Sequence, residues 1–153
     1  MSDIGFEHIF DIDIGVGSFH RVGLGPWGRR GIACVTGGTV SGPGIKGTIL
    51  PGTGGDWAMV GADGNLALDV RLTIETDDNA LIYMRYHGFM TGPKDVLRAL
   101  NKGEAIDPSA YYFRTAPVFE TGPGRYDWLN RIVAVGIGES RPQGPLYHVY
   151  RML

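Results

Sequence analysis

Residues 66–74, LALDVRLTI, alternate without a fault: Leu66, Leu68, Val70, Leu72 and Ile74 fall on one side of an extended chain, and Ala67, Asp69, Arg71 and Thr73 on the other. A period of two marks a strand with one face buried. The polar run 75–79 makes a turn, and residues 80–87 return as the second arm of a hairpin, with Ile82, Met84 and Tyr86 opposite Tyr83, Arg85 and His87. Residues 6–14 repeat the pattern, setting Phe10, Ile12 and Ile14 against Ile9, Asp11 and Asp13. Residues 15–31 read as a strand running into a loop, and a short apolar strand follows at 32–35. Strand patterns recur at 48–50, 111–115, 118–121, 131–137 and 146–152, while 126–130 reads as a helical turn.

Residues 93–102 carry the one helical pattern. Proline suits a first turn, Val96, Leu97 and Leu100 make an apolar stripe, and Lys102 and Gly103 suit the end. This excursion between strands is either a lid or simple packing over one end of the sheet. Nine or ten strands and one helix, without strand-helix alternation, predict an all-β protein. A closed or nearly closed antiparallel β-barrel is the economical arrangement, because closure removes exposed strand edges. At 153 residues the chain is read as a single domain spanning 1–153.

Composition sharpens this picture at one place. The chain holds 25 glycines, more than twice the roughly 7% of an average protein. Eight of them, with two prolines, crowd into residues 37–57, GGTVSGPGIKGTILPGTGGDW. Such a ribbon suits a tight path that brings backbone close to a cavity and delivers Asp56 and Trp57 to its mouth. Residues 42–47 spell GxGxxG, but a β-branched segment ended by Pro51 follows where a dinucleotide fold starts a helix. No cofactor is therefore expected.

The formal charge is -2, from 14 basic and 16 acidic side chains, with no basic run. Nucleic acid is thereby excluded as a partner, since phosphate binding needs clustered cations. The single cysteine, Cys34, lies in an apolar run and is read as a small buried hydrophobe; alone, it makes no internal disulfide and no thiolate cage. Asp11 and Asp13 read as a solvated strand face, and no metal is expected. The acidic N-terminus and the lack of any apolar run near ~20 residues predict no membrane partner and a cytoplasmic location.

Four segments, GRRGIACVTGGTVSGPGIKGTILPGTGGDW, LDVRLTIETDDNALIYMRYHG, YYFRTAPVFETGPGRYDWLN and the final HVYRM, resemble the bacterial and fungal family called domain of unknown function 3237. They extend over most of the chain in the family's order. The resemblance implies a barrel akin to the allene oxide cyclase and dirigent barrels, forming oligomers, and no settled activity. It also implies recurring polar positions at Asp56, Trp57, Arg71, Arg114, Glu120, Trp128 and Asn130. The chain departs from the family at Asp78-Asn79-Ala80, where Asp-Gly-Ala is common; asparagine tolerates the left-handed conformation, so the turn is expected to survive.

On this reading Arg71 faces the interior, supported by the matching face of Tyr83, Arg85 and His87. A desolvated guanidinium needs a carboxylate, and Asp56, Asp69 and Glu120 are the candidates. A structural ion pair between strands is the competing reading. An acid in an apolar cavity has its pKa raised toward general-base range, and a fixed arginine stabilises an enolate or carboxylate. His87 is the best-placed histidine for proton transfer, and no G-x-S-x-G nucleophile elbow is present.

These readings predict a cofactor-independent isomerase, cyclase or lyase. Its substrate would be a small apolar molecule bearing a carbonyl or phenol. Asp56 or Glu120 would be the acid/base, with His87 as a further candidate and Arg71 the charge stabiliser. Trp57, Tyr83, Arg85, Arg114, Trp128 and Asn130 would contact the substrate. The alternative is a lipocalin-like carrier using the same cavity. A homo-oligomer, dimer or trimer, is expected in either case.

Overall fold

The structure, a computed structural model, describes residues 3–153. Nine antiparallel strands follow one another as β1 (Phe6–Gly25), β2 (Gly28–Gly42), β3 (Ile45–Ile49), β4 (Gly55–Val60), β5 (Leu66–Thr76), β6 (Leu81–Thr91), β7 (Tyr112–Thr121), β8 (Ala134–Glu139) and β9 (Leu146–Met152). Neighbours run β1-β9-β8-β7-β6-β5, after which β3 and β4 lie between β5 and β2, and β2 returns to β1. The strands thus form a ring. Its weakest joint is between β7 and β8, which are in register only at Arg114 with Ile137 and Thr115 with Gly136.

The alternation read from residues 66–87 holds. Leu72, Ile74, Ile82 and Met84 point inward with Phe10, Ile12, Ile14, Tyr147 and Val149, and all are buried. Asn79 takes a left-handed φ of 67°, so the departure from the family's turn is accommodated. The helix α1 (Lys94–Asn101) begins after Pro93 and buries Leu97, while Val96 and Leu100 pack on the edge of the core. Among the described residues no helix is long and apolar enough to cross a membrane.

Three expectations are corrected. The strand read from residue 15 is present, but the loop expected at its end is only the two-residue turn at Pro26 and Trp27: β1 is 20 residues long, bent by three register shifts against β2, which starts at Gly28. Those irregularities break the period of two, which hid how far the strand runs. Cys34 is exposed, because Ala33 and Val35 take the inward positions of β2 and leave the thiol outside. Residues 131–133 belong to a 3-10 turn (Asp127–Arg131) and its exit, so β8 starts at Ala134.

The glycine ribbon is the end of β2, a two-residue turn at Pro43 and Gly44, all of β3, a turn over residues 50–54, and the start of β4. The letters GxGxxG therefore form a hairpin. Its glycines permit close approach between backbones. A Cβ at Gly54 would run into the Arg71 carbonyl, and one at Gly38, where φ is +147°, into the Asp13 carbonyl.

A Gly38→Ala variant is expected to lose about 3 kcal/mol of stability, from left-handed strain together with a clash against unyielding backbone. Gly44→Ala, also left-handed at φ +78° but with nothing within 4 Å, is expected to lose only about 1 kcal/mol. Equal urea midpoints for the two variants would contradict the close-approach account.

Candidate active site

Asp56 is the carboxyl that the ring turns inward. Its β4 register pairs it with Ala33 on β2 and Val70 on β5, both of which face the core. The β4–β5 ladder pairs Gly55 with Arg71 and Asp56 with Val70, then skips to Met59 with Ala67. In the gap, the Asp69 amide donates to Asp56 Oδ1 at 3.1 Å, and Arg30 Nη1 donates to the Trp57 carbonyl at 2.7 Å. The carboxyl thus replaces a missing ladder acceptor and is fixed in place by it.

Asp56 opens on an interior cavity of about 280 Å³, walled by apolar residues including Ile14, Val35, Leu68, Val70 and Phe113. Burial, partly offset by the Asp69 amide, pushes its pKa up to about 6. An apolar wall stabilises the neutral acid over the carboxylate, so the group changes charge near neutral pH. A half-buried acid desolvated in this way fits general acid/base work.

Two further groups in the cavity wall, Tyr86 on β6 and Tyr147 on β9, were missed as site residues. Their rings meet edge to face at 5.2 Å, and both line the cavity with Asp56. Burial raises both tyrosine pKa values, with the Asp56 charge adding to the effect, so both remain neutral hydrogen-bond donors. The signal was present in the sequence as a hydroxyl on an apolar face, Tyr86 beside Ile82 and Met84. At the cavity rim Arg141 is half-buried and bonds Asp13 Oδ1 at 2.5 Å, placing there the cation that Arg71 was expected to supply.

The other predicted site residues lie on the outside of the ring. Arg71 is 47% exposed and sits 3.9 Å from Asp69, stacked over Trp57 at 5.4 Å. Its partner is one of the three acids expected, but both residues lie on β5, so the pair runs along one strand of the outer wall and ties no two strands together. One position separates Arg71 from the inward Val70, and in a strand that reverses the face. His87 is 71% exposed, with Nδ1 4.0 Å from Asp69. Tyr83, Arg85, Arg114 and Glu120 share that outward parity on β6 and β7.

Trp128 packs beneath the Arg151 guanidinium. Asn130 ties the 3-10 turn to β7, accepting from the Thr121 amide at 2.8 Å and donating to its carbonyl at 2.9 Å. His87 and Arg114 instead border an outer groove of about 660 Å³ with Phe6, Phe89, Tyr112 and Ile137. Of all the predicted residues, only Asp56 reaches the inner cavity.

A ring of antiparallel strands around a small apolar cavity with one inward acid makes this a ligand-sized β-barrel. The chain belongs to the family described as "Protein of unknown function (DUF3237)", whose profile matches residues 4–152. It is 35% identical over 147 residues to a UPF0311 protein of Rhodopseudomonas palustris, covering 96% of this chain and 95% of the relative. The crystal structure of that protein aligns over 100% of both chains with a TM-score of 0.95. A β-barrel-like protein of Acinetobacter baumannii, 34% identical, aligns over 100% of this chain and 98% of its own with a TM-score of 0.86. A more distant relative, the hydroalkoxylation enzyme phnH of Penicillium herquei, is 28% identical over 107 residues, 70% of this chain and 56% of that one.

The raised pKa of Asp56 has a consequence for stability. The folded value of about 6 lies above the ordinary 3.8, so the neutral acid's advantage is complete below about pH 3.8 and is lost as pH rises through 6. Above pH 7 the ionised form costs the fold up to about 3 kcal/mol. Asp56→Asn keeps an acceptor for the Asp69 amide and never ionises. It is expected to be more stable than the wild type at pH 8, with the gap closing by pH 4. A gap independent of pH in urea unfolding would contradict the assignment.

Proposed function

We propose that the chain is a cofactor-independent enzyme that moves a proton on a small apolar molecule held inside the barrel, with Asp56 as the acid/base. The observation that carries this reading is one carboxyl, poised near neutral pH, in a mainly apolar cavity with two tyrosines in its wall and Arg141 at its rim. A distant relative bearing the name of a hydroalkoxylation enzyme supports catalysis as the class. Hydroalkoxylation adds an O–H across a carbon-carbon double bond. That is a proton transfer coupled to carbon-oxygen bond formation, and it needs no redox partner.

The reaction that suits the cavity is addition of a hydroxyl to an alkene conjugated with a carbonyl. Asp56 as carboxylate takes the hydroxyl proton, and the oxygen forms a bond to the far alkene carbon. The π electrons shift onto the carbonyl oxygen, where the tyrosine O–H donates and stabilises the enolate. Asp56 then returns the proton to the carbon next to the carbonyl, so no charge or atom is left over. Run backward the same steps are an elimination, and without the new bond they are an isomerisation. Glu120 and His87, outside the ring, take no part.

The outer wall leaves Phe6, Phe89, Tyr112, Val118, Val133 and Ile137 exposed. The reading therefore keeps the homo-oligomer, dimer or trimer. A monomer by sedimentation at micromolar concentration would remove it.

A panel of small 2-hydroxyaryl enones tests the chemistry. The expected outcome is cyclised product with enantiomeric excess, kcat/KM that rises with pH through an inflection near 6, and a loss of about 100-fold or more in kcat for Asp56→Asn. An unchanged rate in that variant would overturn the assignment of Asp56. Saturable binding with every ligand recovered unaltered would favour the carrier.

A further inference from the structure

His8, Asp11 and His148 stand together on the outer wall, away from the cavity, and nothing in the acid/base reading uses them. His8 Nε2 and His148 Nδ1 each lie 2.7 Å from the same oxygen, Asp11 Oδ1, and all three donor atoms lie within 4.8 Å of one another. In a regular strand, residues three apart point to opposite faces. Here β1 shifts register against β9 between His8 and Phe10, and Ile9 and Phe10 are both buried as a result. The bulge turns His8 back to the face of Asp11. Such bulges serve to re-aim a side chain. Asp11 then lies directly opposite His148 in the β1–β9 ladder.

The second carboxylate completes the arrangement. Glu139, on β8, lies 3.3 Å from the other nitrogen of His148 and so orients that ring with Nδ1 toward Asp11. A carboxylate on the far nitrogen of a ligating histidine fixes its tautomer and makes it a better donor. Two imidazoles and a carboxylate form a set that borderline divalent ions accept, at about 2.0–2.2 Å per bond. The side chains of His8, Asp11 and His148 are 37%, 41% and 30% exposed. They have room for the small retreat of Asp11 that would open space for an ion, and water can reach the remaining coordination positions.

We infer that His8, Asp11 and His148 form a binding site for one divalent transition-metal ion of the zinc, cobalt and nickel type, with Glu139 as the positioning residue behind His148. The ion would bridge β1 and β9 and so clip the two ends of the chain together within the ring. Sequence spacing concealed the site. His8 stands near Asp11 in sequence, three residues before it, but the third ligand, His148, arrives from 137 residues away. This inference is independent of any role for Asp56.

The test uses the full, untagged chain after chelator treatment and dialysis. Titration with Co²⁺ is followed by visible absorption, and titration with Zn²⁺ by calorimetry. One equivalent is expected to bind each at micromolar Kd or tighter, with a rise in Tm. His148→Gln and His8→Gln are each expected to weaken binding about 100-fold, and Glu139→Gln about 10-fold, while His20→Gln leaves it unchanged. Far-UV circular dichroism checks that each variant is folded, and His8→Gln, near the start of β1, keeps the test intact if His148→Gln is not. Absence of saturable one-equivalent binding would overturn the inference. So would binding that survives His8→Gln or His148→Gln at wild-type strength.

Discussion

Closing strands into a ring commits every second side chain to an interior that water leaves, and those side chains must fill it. All else in this protein follows from that constraint. Nine strands supply mostly aliphatic and aromatic inward residues, and the buried core is continuous from β1 through β9. A cavity remains where β1, β2, β5 and β6 meet the segment of residues 140–145, and Asp56 is the residue of β4 that lines it. The register of β4 against two neighbours gives it no outward alternative.

A carboxyl in that place is a stability cost at neutral pH, and the surrounding structure limits the cost without removing it. The Asp69 amide holds one oxygen, while among the described residues no cation bonds the carboxyl directly; the nearby Arg30 donates instead to the Trp57 carbonyl. A salt bridge to an inward arginine would have held the acid ionised and weakened it as a base. Placing Arg71 outside, against Asp69 and Trp57, avoids this. The acid is left poised, and the tyrosine pair opposite remains protonated to donate.

Much of the fold was legible because it depends on a short-range rule. The period of two in residues 66–87 predicted a hairpin and its inward face, and the scarcity of helix predicted a ring. Where bulges break the period the sequence misleads, as in the second half of β1. The site was less legible. Asp56 came from the abrupt end of a glycine-rich segment and from a family resemblance. The parity of Arg71, Tyr83, Arg85 and His87 was visible, but a polar face in a barrel can be read as lumen or as exterior. Tyr86 and Tyr147, on the apolar faces, were the better pointers, because a hydroxyl among aliphatic side chains needs a partner. The cluster of His8, Asp11 and His148 joins the two ends of the chain, which no local spacing reveals.

The central claim is that Asp56 is an inward-facing, half-buried acid poised near neutral pH, and its own titration tests that most directly. In protein labelled with ¹³C at aspartate, the side-chain carboxyl resonance of Asp56, assigned by its loss in Asp56→Asn, is expected to titrate with a midpoint near 6. A midpoint near the ordinary 3.8 would mean that water reaches the carboxyl freely, and would contradict both the desolvation of Asp56 and the acid/base role built on it.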